Sequence, residues 1–519
     1  MTIHRRHLAV LCVVVLAPAL GYGAVKVDTV GTTSLDLQSY GPVWQRVFNL
    51  PGAGIYVTWV KSGMFFNYLD YSTGRWLGET EVFADANVSG NLDVCTAHGS
   101  RFHRSAFISS RTRRPAMPVV GIESVPGSGS FHSRPGGTAL LERVQPAIAL
   151  SANGWIHMLC ADGNHGDTAL YSRSTDDGLT WAVPVSVCGG SLPQDPTFNL
   201  TASKSSDKVA VLWSREGAAS LWYNLSTDGG STWSGPQDLF PLPSSIEGAQ
   251  PGKLGGYCIF DSQDRLNVVT QVWDGIEQYP AEIWHYQDGR DESWARVHRY
   301  DPDRVLAPAE EDDAFVCRPS VAENADGDLF VAWMNYDSVN VEHSTQIARA
   351  DVMIAHSEDD GVSWSRAFRA TGPDSTSRIS PCLAPIAGDS LVIVCVEDQT
   401  AGLHEKGHGP QTTNSVTVLR VPTADLPAIE ERTSPMARHR PGLSLVPNPA
   451  KDRFFVAAPS VNTPATLTLW DTQGRRVQTL STTVRQGAVI PASTLSSGVY
   501  LVRLDAGGLL LESRLVVAR

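Results

Sequence analysis

The stretch STDDGLTW, residues 174–181, returns as STDGGSTW at 226–233 and as SEDDGVSW at 357–364. All three obey Ser-x-Asp-x-Gly-x-[Thr/Ser]-Trp. The phrase has the parts of a β-hairpin turn. Ser174, Ser226 and Ser357 open it. Asp176, Asp228 and Asp359 can accept hydrogen bonds from the turn's own backbone N–H groups. Gly178, Gly230 and Gly361 can take a positive φ without a Cβ penalty. Trp181, Trp233 and Trp364 can bury a large ring against a sheet. Each part acts within the turn, so the phrase reads as folding grammar and not as catalysis.

The tryptophans give a period. Trp181 and Trp233 are 52 residues apart, and two degraded copies, NYLDYSTGRW and HYQDGRDESW, end at Trp76 and Trp294. A second phrase precedes the box: QPAIALSANGWIHMLC from Gln145, RPSVAENADGDLFVAW from Arg318 and, with a one-residue slip, SPCLAPIAGDSLVIVC from Ser380. Each unit reads strand, tight turn, strand, strand, box, strand. Units of this length made of short strands predict the blades of a β-propeller, which bury their faces only by stacking around an axis. Residues 32–421 make 421 − 32 + 1 = 390 positions, about 56 for each of seven blades. The expected fold is all-β: a seven-bladed propeller, with six blades the alternative and 83–140 the least regular blade, followed by a small Ig-like β-sandwich.

The three boxes resemble the Asp-box, or BNR, repeats of the sialidase-like propellers, and the resemblance covers roughly residues 32–421. The enzymatic members have six blades, and Asp boxes also occur in propellers with other tasks. Sialidase chemistry implies three arginines for the substrate carboxylate, an acid/base and a Tyr–Glu nucleophile pair. The family's Arg-Ile-Pro phrase is absent, and VWQRVFNLPG stands in its place. Arg318 and Arg378 can serve as two of the arginines, with Arg114 as a third. Asp313 and Glu282 are acidic candidates, and Tyr336 is a candidate nucleophile.

A ligand site is expected at the mouth of the central channel. The residue before the repeat proline is Gln145, Asp195, Gln250, Arg318 or Ser380, polar each time in an otherwise apolar strand. A water-filled channel or a ligand explains that recurrence. Arg318 and Arg378 open strand-like runs in consecutive repeats, which predicts an anion-binding pair.

Two other motifs carry less. HEKGH, residues 404–408, satisfies the H-E-x-x-H zinc signature, which needs a helix to put both histidines on one face. Gly402, Gly407, Gly409 and Pro410 surround it, so a loop between strands is the reading. NADGDL, Asn324 to Leu329, resembles a calcium-loop fragment but holds the place of a hairpin turn. Neither a metal nor a cofactor is expected.

Composition and termini give an address. The chain has 519 residues, 42% hydrophobic and 18% charged, with a net charge of −13. That balance fits a large core and disfavours nucleic acid and anionic membranes as partners. MTIHRRH followed by LAVLCVVVLAPAL reads as a signal peptide over 1–24, too short in its apolar run for a permanent anchor. A lipoprotein reading of Cys12 meets bulky Leu11. No later run is long and apolar enough to span a membrane. The remaining cysteines, Cys95, Cys160, Cys188, Cys258, Cys317, Cys382 and Cys395, are odd in number and sit mostly in apolar strands, as packing residues do. After a polar linker, 422–443, the segment 444–519 alternates as TLTLWD and VYLVRL. With PNPAKDRFFV, LSSGVYLVRL and a final Arg519, it resembles the C-terminal sorting domain of type IX secretion cargo. That implies the type IX machinery as partner and an extracellular or outer-membrane surface location. Two functions fit: a binding propeller for glycan or surface protein, and a sialidase-type glycoside hydrolase. The missing Arg-Ile-Pro phrase favours the first.

Overall fold

The computed structural model describes residues 25–39, 45–83, 91–96, 103–110, 118–137, 143–162, 168–189, 197–214, 220–290, 292–311, 313–428, 444–446, 450–451, 453–457, 465–471, 475–482, 488–492, 495–506 and 509–518. The expected signal peptide, Arg114, Asp195 and most of the expected linker lie outside them. The chain divides into two compact units, Met1–Glu430 and Glu431–Arg519. Among the described residues there are strands, two three-residue 3-10 turns and no α-helix, so the protein is all-β.

The first unit consists of seven antiparallel sheets. The first holds Val47–Leu50, Gly54–Val60, Met64–Asp70, Arg75–Trp76 and, off the end, Thr80–Phe83; the second holds Asn91–Thr96, His103–Ser110, Pro118–Glu123 and Phe131–Pro135. The third holds Arg143–Leu150, Ile156–Asp162, Ala169–Ser174 and Val185–Ser186; the fourth holds Phe198–Ala202, Val209–Ser214, Leu221–Ser226 and Gln237–Asp238. The fifth holds Gln250–Phe260, Leu266–Trp273, Ala281–Gln287 and Trp294–Tyr300; the sixth holds Val316–Glu323, Leu329–Val341, Ala348–Ser357 and Phe368–Arg369. The seventh runs Ser377–Leu383, Ser390–Asp398, Asn414–Pro422 and then, on its outer edge, the N-terminal strand Lys26–Thr33.

The first strand of each sheet touches the first strand of the next, and Ser377–Leu383 touches Val47–Leu50, which completes a circuit about one axis. Several second strands are sandwiched between neighbouring sheets and buried on both faces. Gly54–Val60, Ile156–Asp162 and Leu266–Trp273 are buried along their whole length. That is why they read as near-continuous apolar runs and not as alternating ones. Fourth strands such as Val185–Ser186 and Gln237–Asp238 are exposed and two residues long. The circuit is fastened by the N-terminal strand: Lys26 pairs with Arg420 and Thr33 with Asn414, and Arg420 donates to Asp28 at 2.5 Å. Lys26–Thr33 is thus the outermost strand of the seventh sheet.

The three repeated turns join third to fourth strands and are superimposable in their bonding. In 226–233, Ser226 Oγ donates to Asp228 Oδ1 at 2.8 Å and accepts from Gly230 N at 2.8 Å. Thr232 N and Oγ1 then donate to the two Asp228 oxygens at 2.8 and 2.7 Å. Asp176 with Thr180 and Asp359 with Ser363 repeat the pattern. The turns also reach the preceding sheet, which the sequence did not announce. Trp181 Nε1 donates to Pro135 O at 3.2 Å, Trp233 packs edge-on to Tyr171 at 4.9 Å, and Trp364 edge-on to His285 at 5.3 Å. An arginine of the preceding sheet caps each turn at the carbonyl before its glycine: Arg134 on Asp177, Arg173 on Gly229 and Arg290 on Asp360. The phrase thus joins neighbouring sheets as well as closing a hairpin.

In the second unit, Ser444–Val446, Arg453–Ala457 and Ala488–Pro491 form one sheet. Arg476–Thr482, Ala465–Asp471, Gly498–Ala506 and Leu509–Val517 form the other. Phe454, Val456, Leu467, Leu469, Val502 and Leu504 from both are fully buried in one cluster.

Candidate functional site

The repeat proline interrupts the first strand of several sheets. Proline has no N–H to give to the ladder, so the pairing slips there into a bulge. The register shifts between Val144 and Ala147, between Cys317 and Ser320, and between Ile379 and Cys382. Arg318 and Ser380, at equivalent places, take φ of 53° and 51°, a left-handed conformation that is costly for a residue with a side chain. Such strain persists only where the surroundings over-determine it.

Arg318 is 5% exposed; its backbone N–H donates to Gln271 Oε1 at 3.3 Å. The guanidinium beside it is that of Arg46, 2% exposed, which enters the first strand of the first sheet. Arg46 Nη2 donates to Ser380 O, and its backbone N–H points at Cys382 Sγ at 3.4 Å. Burial lowers the pKa of Arg46, and the positive charge of Arg318 pushes the same way. Arg46 Nη1, Arg318 Nη1 and Gln271 Nε2 are buried and have no hydrogen-bond partner among the described residues. Neither arginine makes an ion pair among the described residues. Two like charges held in the interior with free N–H donors form a site complementary to an anion, because an unpaired buried charge is expensive.

A carboxyl–phenol pair adjoins them. Tyr336 Oη donates to Asp313 Oδ2 at 3.1 Å, and the two residues are 3% and 2% exposed. Burial raises the Asp313 carboxyl, with Arg318 and Lys406 pulling against it, and burial holds the Tyr336 phenol protonated far above its usual range. The sequence had named Arg318, Asp313 and Tyr336 separately, and the structure brings them together.

The loop Ala401–Pro410 lies against the same end. Leu403 N donates to Glu310 Oε2 at 2.8 Å, and His404 N to Asp36 Oδ2 at 2.9 Å. Asp36 N donates to Glu405 Oε1 at 2.9 Å, and His408 Nδ1 meets the Glu310 carboxylate. HEKGH is therefore a 3-10 turn, His404–Lys406, whose two histidines have different protein partners; His404 Nδ1 faces Gly409 O at 3.2 Å. No group of three or more metal-ligating side chains occurs among the described residues.

The other candidates stand elsewhere. Arg378 is enclosed by carboxylates, Asp374 at 2.5 Å, Glu397 at 3.3 Å and Asp351 at 3.9 Å, so its charge is already met. Of the two arginines expected to pair, Arg378 lies among carboxylates, and the charge of Arg318 is felt by Arg46. Gln250 Nε2 donates to Asp274 O at 2.9 Å, and Gln145 lies at the bulge of Arg143–Leu150 with its side chain outside the described residues. Glu282, on the third strand of the fifth sheet, accepts from Ser244, Trp284, Arg296 and Arg299. Burial raises its carboxyl, and those hydrogen bonds outweigh burial and leave it lowered. It is a bracing residue. Asn324 Oδ1 accepts from Asp326 N and Asp328 N at 3.0 and 2.8 Å, which makes NADGDL a turn. Cys258, Cys317, Cys382 and Cys395 are free and buried, and Cys160 and Cys188 are buried as well.

Residues 444–518 match the family model of the secretion system C-terminal sorting domain. The chain is thus type IX secretion cargo, exported to the cell surface or the extracellular space. No helix among the described residues is long and apolar enough to cross a membrane. No curated protein sequence matches the chain. Solved structures similar to it include a polysaccharide lyase of family PL25, an ulvan lyase bound to -[GlcA(1-4)Rha3S]-, at 12% identity over 74% of this chain and 100% of that one, TM-score 0.49. They also include the Penicillium chrysogenum α-L-arabinanase complexed with arabinobiose, at 13% identity over 76% and 98%, TM-score 0.41. A third is the Hadza microbial sialidase Hz136, at 14% identity over 71% and 75%, TM-score 0.35.

Proposed function

We propose that the first unit is a seven-bladed, sialidase-like β-propeller that binds an acidic glycan outside the cell, and that the tail is a two-sheet sandwich serving as its export address. Seven sheets in a closed circuit support the blade count. The observation that carries the function is the pair of buried arginines, Arg46 and Arg318, each with an unpartnered Nη1. Arginine presents planar N–H donors that suit a carboxylate or a sulfate. A second reading, hydrolysis of a sialoside, is favoured by the Tyr336–Asp313 hydrogen bond beside Arg318. Against it, Arg378 is committed to three carboxylates, and among the described residues that leaves Arg46 and Arg318 where the sialidase pattern has three arginines. The test is a glycan array and a fluorogenic sialoside, each run with the secreted protein and with Arg318→Ala. Binding without turnover, lost in the variant, supports the binding protein. Turnover lost in the variant supports the hydrolase. Absence of both binding and turnover removes the glycan reading.

A further inference from the structure

At the hairpin end of the axis lies a cavity of about 460 Å³, a volume typical of small-ligand sites. All seven sheets line it, each through the first strand or the turn that follows, so it sits on the axis. Phe48, Ile148, Leu200, Ile259 and Ile386 give it a mainly apolar wall. Gln45 and Tyr257, hydrogen-bonded to each other, form part of the lining, and Arg46, the next residue, belongs to the anion site.

The charges on this wall are unequal in their partners. Asp93 is met by Lys204 at 2.7 Å, and Lys204 also donates to Leu150 O at 2.6 Å. Asp261 is met by Arg265 at 2.8 Å and by Asn267 at 3.0 Å. Among the described residues the Glu323 carboxylate accepts from Ser262 alone, N at 2.6 Å and Oγ at 2.8 Å, and makes no ion pair. Arg265, the cation whose charge it feels, is spent on Asp261 and Asp360. Burial raises the Glu323 carboxyl, which the nearby Asp261 reinforces; a cation beside it would offset that cost of ionisation.

We propose that this cavity is a second binding site, for a small amphipathic cation: an amine carried on an aromatic or aliphatic body. The body fills the apolar wall and the ammonium reaches Glu323. The proposal does not depend on what binds at Arg46 and Arg318. The test uses the full exported chain, calorimetric titration, and three probes of one shape: phenethylamine, 2-phenylethanol and 3-phenylpropionate. The expected order is phenethylamine first, the alcohol at least about tenfold weaker and the carboxylate undetected, since a charged partner in a partly desolvated site is worth more than a factor of ten. Glu323→Gln, which keeps an acceptor for Ser262, is expected to erase the difference between amine and alcohol. Ala325→Trp, at an exposed rim position, is expected to block all probes while leaving Glu323 in place. Absence of amine binding, equal binding of amine and alcohol, or an amine preference that survives Glu323→Gln overturns it.

Discussion

The three turn glycines offer a controlled experiment. Gly178, Gly230 and Gly361 have φ of 75°, 80° and 75°, so alanine at any of them suffers the same left-handed strain, about 1–2 kcal/mol. The space around them differs. A Cβ at 178 meets nothing nearer than Arg134 Cδ at 3.7 Å, an ordinary contact. At 230 it falls 1.8 Å from Tyr171 Oη and 2.3 Å from Cζ. Tyr171 cannot swing aside freely, because its hydroxyl meets His157 Nδ1 at 2.7 Å and its ring packs on Trp233. At 361 the Cβ falls 2.4 Å from His285 Cε1, a ring that is itself wholly buried. Overpacking of this kind adds about 1–3 kcal/mol. Gly178→Ala is therefore expected to cost about 1–2 kcal/mol and Gly230→Ala about 2–5 kcal/mol, with Gly361→Ala in the higher class. Melting shifts are small in a unit of this size, about 1 °C per kcal/mol. Equilibrium urea unfolding followed by tryptophan fluorescence is the better assay. Costs that agree within about 0.5 kcal/mol across the three sites, or a larger cost at 178, refute the claim that the turns clamp neighbouring sheets.

Deleting residues 444–519 in the native host is expected to leave folded protein in the periplasm, checked by fractionation; surface display or release of the truncated chain contradicts the export role. Burial pushes the Asp398 carboxyl up to about 6, with Thr400 opposing and Asp36 reinforcing. Its folded-state pKa lies above the unfolded value of 3.8, so the folded chain holds a proton that the unfolded chain has released, and the contribution of Asp398 to stability falls as pH rises from about 4 to about 6. Asp398→Asn is expected to be neutral near pH 4 and stabilising above pH 7 by about 1–2 kcal/mol after screening, measured by urea unfolding at each pH; a difference independent of pH contradicts it.

What was legible in the sequence was what repeats. The Ser–Asp–Gly–Trp turns and the doubly buried second strands recur at one spacing, because every sheet solves the same packing problem. The contacts between sheets do not. Arg134, Arg173 and Arg290 lie 43, 56 and 70 residues from the carbonyls they cap, with no period to betray them. The fastening strand Lys26–Thr33 lies nearly a whole unit away from its partner, on an edge where apolar patterning is weak. Arg46 escaped notice for a local reason. The recurring polar residues stand before a proline, whereas Arg46 precedes Val47. Arg378 opens a strand-like run as Arg318 does, but the position equivalent to Arg318 is Ser380, which shares its φ. Which arginines are neutralised depends on carboxylates such as Asp351 and Glu397, brought in from other strands.

The central claim is that Arg46 and Arg318 hold an anionic group of a glycan. Titration calorimetry with a sialoside and its carboxyl-reduced analogue tests it directly. The wild-type chain is expected to prefer the acid, and Arg46→Ala and Arg318→Ala each to weaken acid binding by about 1.5–3 kcal/mol, the worth of a hydrogen bond to a charged group, without affecting the reduced sugar. Equal affinity for the acid and its reduced form, or an acid preference that persists in both variants, contradicts the account.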